Sequence, residues 1–103
     1  MSAVNSKPLF SLTIVAGLIG VHPRTIMIYE KEGLIKPSRT KTNRRLFCRE
    51  EVQSISFIRF LTHDKGLNLA GVSVIFAMIE KAQKKGVNLK KSIFPEFRES
   101  SEF

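Results

Sequence analysis

Apolar residues recur with a helical period in two stretches near the start of the chain. The first stretch, Thr13 to Ile19, has Thr13 as its expected N-cap, and the second runs from about Pro23 to Glu32. Pro23 suits a first helical position, where its missing N–H costs nothing. Gly20 and Gly33 are expected to end the two helices, because glycine tolerates a positive φ. This spacing predicts a helix-turn-helix.

A polar segment, KPSRTKTNRRLF, follows from Lys36 to Phe47. Pro37 and Ser38 are expected to start a turn, residues 41–43 to form a polar tip, and Arg45 to Phe47 to return as a short strand. The segment therefore predicts a β-hairpin wing beside the helix-turn-helix.

Two further helical patterns follow the wing. In the third helix Cys48 is a weak N-cap, with Glu51 in the capping-box position and an end near Gly66. In the fourth, Asn68 is the cap and Gly86 the end. The apolar positions expected to face the core are Val52, Ile55, Ile58 and Leu61 in the third helix, and Leu69, Val72, Ile75, Ile79 and Ala82 in the fourth. The predicted fold class is mainly α with a small β-hairpin, a winged helix-turn-helix.

We divide the chain into a flexible arm at residues 1–8, the winged domain at 9–86 and a tail at 87–103. The fourth helix and the tail carry more apolar residues than one face requires, which predicts a second buried side. The partner could be the tail itself, a second copy of the chain or a different protein, with single-chain or homodimeric burial favoured. The residues expected to form this layer are Phe76, Met78, Ile93, Phe94 and Phe97.

Charge points to a polyanionic partner. The 103 residues, enough for one domain, include 17 Lys and Arg against 9 Asp and Glu, a net charge of +8 and a pI near 10.1. Eight cations and two acids lie between His22 and Arg49, which leaves +6 around the second helix and the wing. Five lysines between Lys81 and Lys91 are interpreted as a solvated helix end. Nucleic acid is the leading candidate partner, ahead of an anionic membrane.

Other classes of protein fit less well. The apolar run from Leu9 to Val21 could be a signal peptide, but its cationic region is small and its cleavage site poor. One cysteine, Cys48, excludes an internal disulfide and any multi-cysteine metal site. The sequence shows no catalytic grouping, no phosphate loop and no transmembrane segment. We therefore expect a cytoplasmic protein that is not an enzyme and needs no cofactor or metal.

The motifs AGLIGVHPRT, YEKEGLI, PSRT, RRLF and CREEV follow one another in the order and spacing of the MerR family of bacterial transcription regulators, which the chain resembles over about residues 9–86. His22-Pro23 and GLNLAGV, Gly66 to Val72, look like the heat-shock repressor branch of that family. The resemblance implies a homodimeric repressor that binds an inverted repeat of double-stranded DNA upstream of chaperone genes. It also implies a DnaK-type chaperone as a possible partner.

Candidate DNA contacts lie in the second helix and the wing. Arg24 is expected to read a base edge or bind a phosphate, and Tyr29 to bind a phosphate or pack in the core. His22 is interpreted as a helix cap or a contact, and Arg45 matches an arginine of the family pattern. The complete predicted set is His22, Arg24, Thr25, Tyr29, Arg39, Lys41, Arg44 and Arg45.

Two positions depart from the family. Met27 and Ile28 stand where recognition helices commonly carry an arginine and a polar or aromatic residue. Apolar side chains there could touch thymine methyl groups, or mark a DNA face that is weak or reused. Two alternatives to a transcription regulator therefore remain: an architectural DNA-bending protein of the excisionase type, and a winged helix that binds another protein.

Overall fold

The computed structural model describes residues 7–98, and these form five α-helices and a three-stranded sheet. A π-helical turn, Phe60–Asp64, continues the third helix. The elements in chain order are β1 (Pro8–Ser11), α1 (Leu12–Ile19), α2 (Pro23–Lys31), β2 (Ser38–Arg39), β3 (Arg45–Cys48), α3 (Arg49–Arg59), α4 (Leu69–Lys84) and α5 (Leu89–Ile93). The predicted fold class is confirmed.

Helices α1 and α2 form the predicted helix-turn-helix. Gly20 has a φ of 83°, and the backbone N–H groups of Gly20 and Val21 both donate to the carbonyl of Ala16, at 2.9 and 3.1 Å. The N-cap of α1 is Ser11, whose Oγ accepts from the N–H of Ile14 at 3.3 Å. The prediction of Thr13 as the cap was wrong, because α1 already begins at Leu12, directly after a strand that ends at Ser11.

The sheet contains a strand that was not predicted. Its order is β1-β3-β2 with antiparallel neighbours, and Phe10 of β1 pairs with Phe47 of β3. Along β1 the burial alternates, with Leu9 64% exposed and Phe10 packed against the core, as in a strand with one buried face. Residue 8 of the predicted arm therefore belongs to the sheet, and residues 1–6 lie outside the described part of the chain.

Helix α3 is the centre of the core. Its predicted stripe is confirmed, since Val52, Ile55, Ile58 and the Leu61 side chain that follows are all 0% exposed. Glu51 Oε1 accepts from the backbone N–H of Cys48 at 2.9 Å, as expected of a capping box. Burial raises the pKa of the Cys48 thiol, so it remains protonated at neutral pH. The predicted helix to Gly66 ends as an α-helix at Arg59 and continues as the π turn.

Residues 87–98 of the tail pack against the same chain through aromatic rings. Phe57, which is 2% exposed, has four phenylalanine rings with centroids 5.0 to 6.0 Å away. Lys90 Nζ lies 4.6 Å from the centroid of Phe57, and Lys65 Nζ lies 2.6 Å from Glu96 Oε2. The surrounding rings are those of Phe60, Phe76, Phe94 and Phe97.

Two members of the predicted second layer lie outside this cluster. Met78 and Ile93 are 46% and 49% exposed. Met78 follows Phe76 by two residues and therefore lies about 200° around the helix from it, at 3.6 residues per turn. The intrachain alternative is thus confirmed for Phe76, Phe94 and Phe97. It is wrong for Met78 and Ile93, whose part in a dimer stays a prediction.

No single helix within residues 7–98 combines the length and apolar composition needed to cross a membrane. Helices α1 and α2 have that length and apolar composition only when they are taken together, and the two helices are bent by 107° relative to each other.

Candidate nucleic-acid interface

Helix α2 presents one continuous exposed stripe. Arg24, Met27, Ile28 and Lys31 are all exposed, whereas Ile26 and Tyr29 are buried on the other side. At 3.6 residues per turn the four exposed positions fall within about 100° of arc. The stripe is therefore the face that α2 offers to a partner.

The N-terminal end of α2 is held by a cap. His22 Nδ1 accepts from the backbone N–H of Arg24 at 3.0 Å, and Pro23 occupies the first helical position, both as predicted. The capping bond uses one ring nitrogen of His22, and a DNA contact through the other stays a prediction. Thr25 is half-buried at the edge of the stripe.

Tyr29 belongs to the core. Its side chain is only 5% exposed and packs in the same cluster as Ile26 and Val15. The packing alternative considered for this residue is the one that the structure adopts for the ring. A phosphate contact could use only the hydroxyl group.

Glu30 connects α2 to the wing. Its Oε1 lies 2.6 Å from Arg45 Nε, and its Oε2 lies 3.2 Å from Arg39 Nη2. The side chains of Glu30 and Arg45 are 23% and 21% exposed, so water screens this pair only in part. Both arginines predicted as DNA contacts therefore also hold the wing against α2.

This link was missed in the sequence. Glu30 and Arg45 are 15 residues apart, and neither helical nor strand periodicity relates positions at that distance. One available signal was that Glu30 and Glu32 are the two acids in a region with eight cations.

The wing tip is a tight turn closed by Thr40. Its backbone N–H donates to the carbonyl of Arg44 at 2.8 Å, and its Oγ1 accepts from the N–H of Arg44 at 3.0 Å. Asn43 has a φ of 65°, a conformation that asparagine tolerates better than most residues. The predicted polar tip is confirmed, although the strand before it begins at Ser38, where a turn was expected.

Three of the predicted contact residues carry positive charge that is not used within the fold of residues 7–98. Arg24, Lys41 and Arg44 are exposed, and none of them forms an ion pair within the described residues. Arg24 lies at the start of the α2 stripe, and the other two lie at the wing tip. The structure thus divides the predicted cations into these three and the two that bind Glu30.

Possible metal ligands do not cluster within the described residues. Residues 7–98 contain no group of three or more His, Cys, Asp or Glu side chains that could hold a metal ion.

The family comparison gives a match over most of the chain. Residues 10–79 match the family model described as MerR HTH family regulatory protein. The HTH-type transcriptional regulator GlnR of Bacillus anthracis is 41% identical over 86 residues, which cover 84% of this chain and 65% of GlnR. HspR of Streptomyces coelicolor, described as a heat shock protein, is 31% identical over 71 residues. These cover 69% of this chain and 47% of HspR.

A solved structure has a similar fold. The crystal structure of HiNmlR, described as a MerR family regulator lacking the sensor domain and bound to promoter DNA, superposes with a TM-score of 0.67. The alignment covers 84% of this chain and 65% of that one, at 24% identity. This chain therefore spans about two thirds of the length of GlnR and of HiNmlR.

Proposed function

The chain belongs to the MerR HTH family of regulatory proteins, and from that premise we propose that it is a transcriptional regulator that binds double-stranded DNA. The observation that carries the proposal is the exposed stripe of α2 beside a basic wing that Glu30 fixes to it. An α-helix fits into the major groove of DNA, and a wing can lie over the adjacent phosphates. Transcriptional regulators such as GlnR are not enzymes, in agreement with the expectation from the sequence.

Finer features of the function are part of the same proposal. We infer that the chain acts as a homodimer on an inverted repeat, because Met78 and Ile93 leave apolar surface for a second copy. That it is a repressor is implied by the family resemblance alone. Regulation of stress genes is supported by the similarity to HspR, which is described as a heat shock protein. Chaperone genes as targets and a DnaK-type chaperone as partner are implied by the family resemblance alone.

Selection of bound duplexes from a random pool tests the proposal directly. We expect one enriched motif arranged as two inverted half-sites, and an affinity that falls steeply with salt. Sites phased along a recombination end would favour the architectural alternative. Recovery of no duplex above background at low salt would refute the proposed function.

A second candidate function rests on Met27 and Ile28, which are 40% and 43% exposed on the same helix face. A winged helix whose recognition face binds a protein would present such residues. In that case the chain would show no salt-sensitive affinity for duplex DNA, and the selection would yield no motif.

A further inference from the structure

The centre of the α2 stripe is apolar, with charge only at its two ends. Met27 and Ile28 lie between Arg24 and Lys31, and their side chains are 40% and 43% exposed. An exposed apolar pair in the middle of such a surface is best matched by an apolar group on the partner, because a polar group buried against it would lose its hydrogen bonds to water. What this pair recognises follows from the proposed function, in which α2 lies in the major groove of DNA.

The geometry of the stripe limits the contact to a few base pairs. Arg24 and Lys31 are seven residues apart, which is about 10 Å along a helix that rises 1.5 Å per residue. That length covers about three base pairs at 3.4 Å each. Met27 and Ile28 point about 100° apart, so they reach different bases within this window.

The other polar residues of α2 are not available to read bases at these positions. Glu30, the nearest carboxylate, already accepts from Arg45 at 2.6 Å and from Arg39 at 3.2 Å, so it is not a free acceptor for a cytosine amino group. Thr25 is half-buried at the far edge. The middle of the window therefore depends on the two apolar side chains.

We propose that Met27 and Ile28 are specificity-determining residues that contact the C5-methyl groups of thymine in the major groove, next to the base that Arg24 reads. The C5-methyl group is the apolar feature that the four ordinary bases present in that groove. The operator half-site is accordingly a guanine with one or two thymines within three base pairs of it.

Charge and area favour DNA over a protein as the occupant. Arg24 and Lys31 border the pair, and Lys41 and Arg44 extend the positive surface across the wing, which complements a polyanion. A stable protein interface buries about 800 Å² on each partner. Two side chains that are more than half buried leave only a small part of that area, whereas one or two methyl groups fit it.

Uracil substitution isolates the methyl group, because deoxyuridine pairs as thymidine does and lacks only the C5-methyl. The full chain is titrated with the duplex selected from the random pool, and with duplexes in which single thymidines are replaced by deoxyuridine. Burial of one methyl group corresponds to about a fourfold change in Kd. We expect that loss at one or two thymidines per half-site and none elsewhere. When one of these thymidines is replaced by deoxycytidine, adding the C5-methyl group as 5-methyldeoxycytidine should tighten binding by the same factor of about four.

Variants assign the effect to the two side chains. Met27→Ala and Ile28→Ala should each lower the ratio of the Kd for the uracil duplex to that for the thymine duplex. The ratio should fall to about one at the thymidine that the shortened side chain contacts in the parent. Leu9→Ala and Ile14→Ala are matched controls, because they shorten apolar side chains that are 64% and 53% exposed, in β1 and α1, outside both the α2 stripe and the proposed dimer surface. These two should retain the full ratio.

The outcomes separate this inference from the proposed function. Salt-sensitive binding of a selected duplex with no effect of any uracil would overturn the inference and leave the function intact. A uracil effect that persists in both Met27→Ala and Ile28→Ala would assign it to DNA shape and also overturn the inference. Failure to select any duplex would refute the function itself.

Discussion

Glu30→Gln is expected to destabilise the protein by loosening the wing from α2. The substitution keeps the shape of the side chain but removes the charge that binds Arg45 at 2.6 Å and Arg39 at 3.2 Å. Exposed ion pairs contribute about 0.2–1 kcal/mol, and hydrogen bonds to charged groups about 1.5–3 kcal/mol. The Glu30 and Arg45 side chains are 23% and 21% exposed, between these two cases. We therefore expect the free energy of unfolding to fall by about 1–2 kcal/mol.

A double-mutant cycle with Arg45→Gln assigns the loss to this pair. Urea denaturation of the parent, the two single variants and the double variant gives the coupling energy, which we expect at about 1 kcal/mol. Glu80→Gln is the control, since Glu80 is exposed on α4 and forms no ion pair within residues 7–98. Additive effects of Glu30→Gln and Arg45→Gln, or an equal loss in Glu80→Gln, would show that this ion pair does not hold the wing.

Three further predictions concern stability. Deleting the chain after Gly86 removes two rings from the aromatic cluster, and should lower the free energy of unfolding by about 3–6 kcal/mol or cause aggregation, seen by urea denaturation and sedimentation; an equally stable, soluble truncation would contradict the packing. Because Lys65 donates to it, the pKa of Glu96 lies below its ordinary value. Its stabilising effect is therefore present at neutral pH and disappears as the pH falls through the lowered value, so Glu96→Gln should differ from the parent at pH 7 but not in acid. Gly20→Ala should lower the free energy of unfolding by about 1–2 kcal/mol, because Gly20 has a φ of 83°. Gly17→Ala lies in open space inside α1 and should raise the free energy of unfolding slightly. Equal effects of the two substitutions would show that the positive φ of Gly20 is not the cause.

Local signals explain what the sequence predicted correctly. Gly20, His22-Pro23 and Asn68 act within three or four residues of their own position, through a positive φ or a capping bond, and the structure shows each in that role. The core stripe of α3 was predictable for the same reason, because one face of a helix repeats within a few residues.

Contacts between distant segments explain what the sequence did not predict. Strand β1 is four residues long, and its pairing with β3 joins Phe10 to Phe47 across the whole helix-turn-helix. The Glu30–Arg45 pair depends likewise on how the wing folds back. Helical periodicity alone places Met78 about 200° from Phe76 on α4, so the sequence could have separated these two residues. The exposure of Ile93 depended on how the tail packs.

The salt dependence of duplex binding tests the central proposal most directly. On a duplex selected from a random pool, log K should fall linearly with log salt, with about 0.9 of slope for each phosphate contact. Arg44→Ala, at the free wing tip, should reduce the slope by about 0.9 on every sequence, whereas Arg24→Ala should relax the base choice at one position, at a cost of about 1–3 kcal/mol. Lys84→Ala, an exposed lysine at the end of α4, should leave the slope unchanged. An affinity that is independent of salt, or a slope equal in the parent and Arg44→Ala, would contradict a DNA interface built from α2 and the wing.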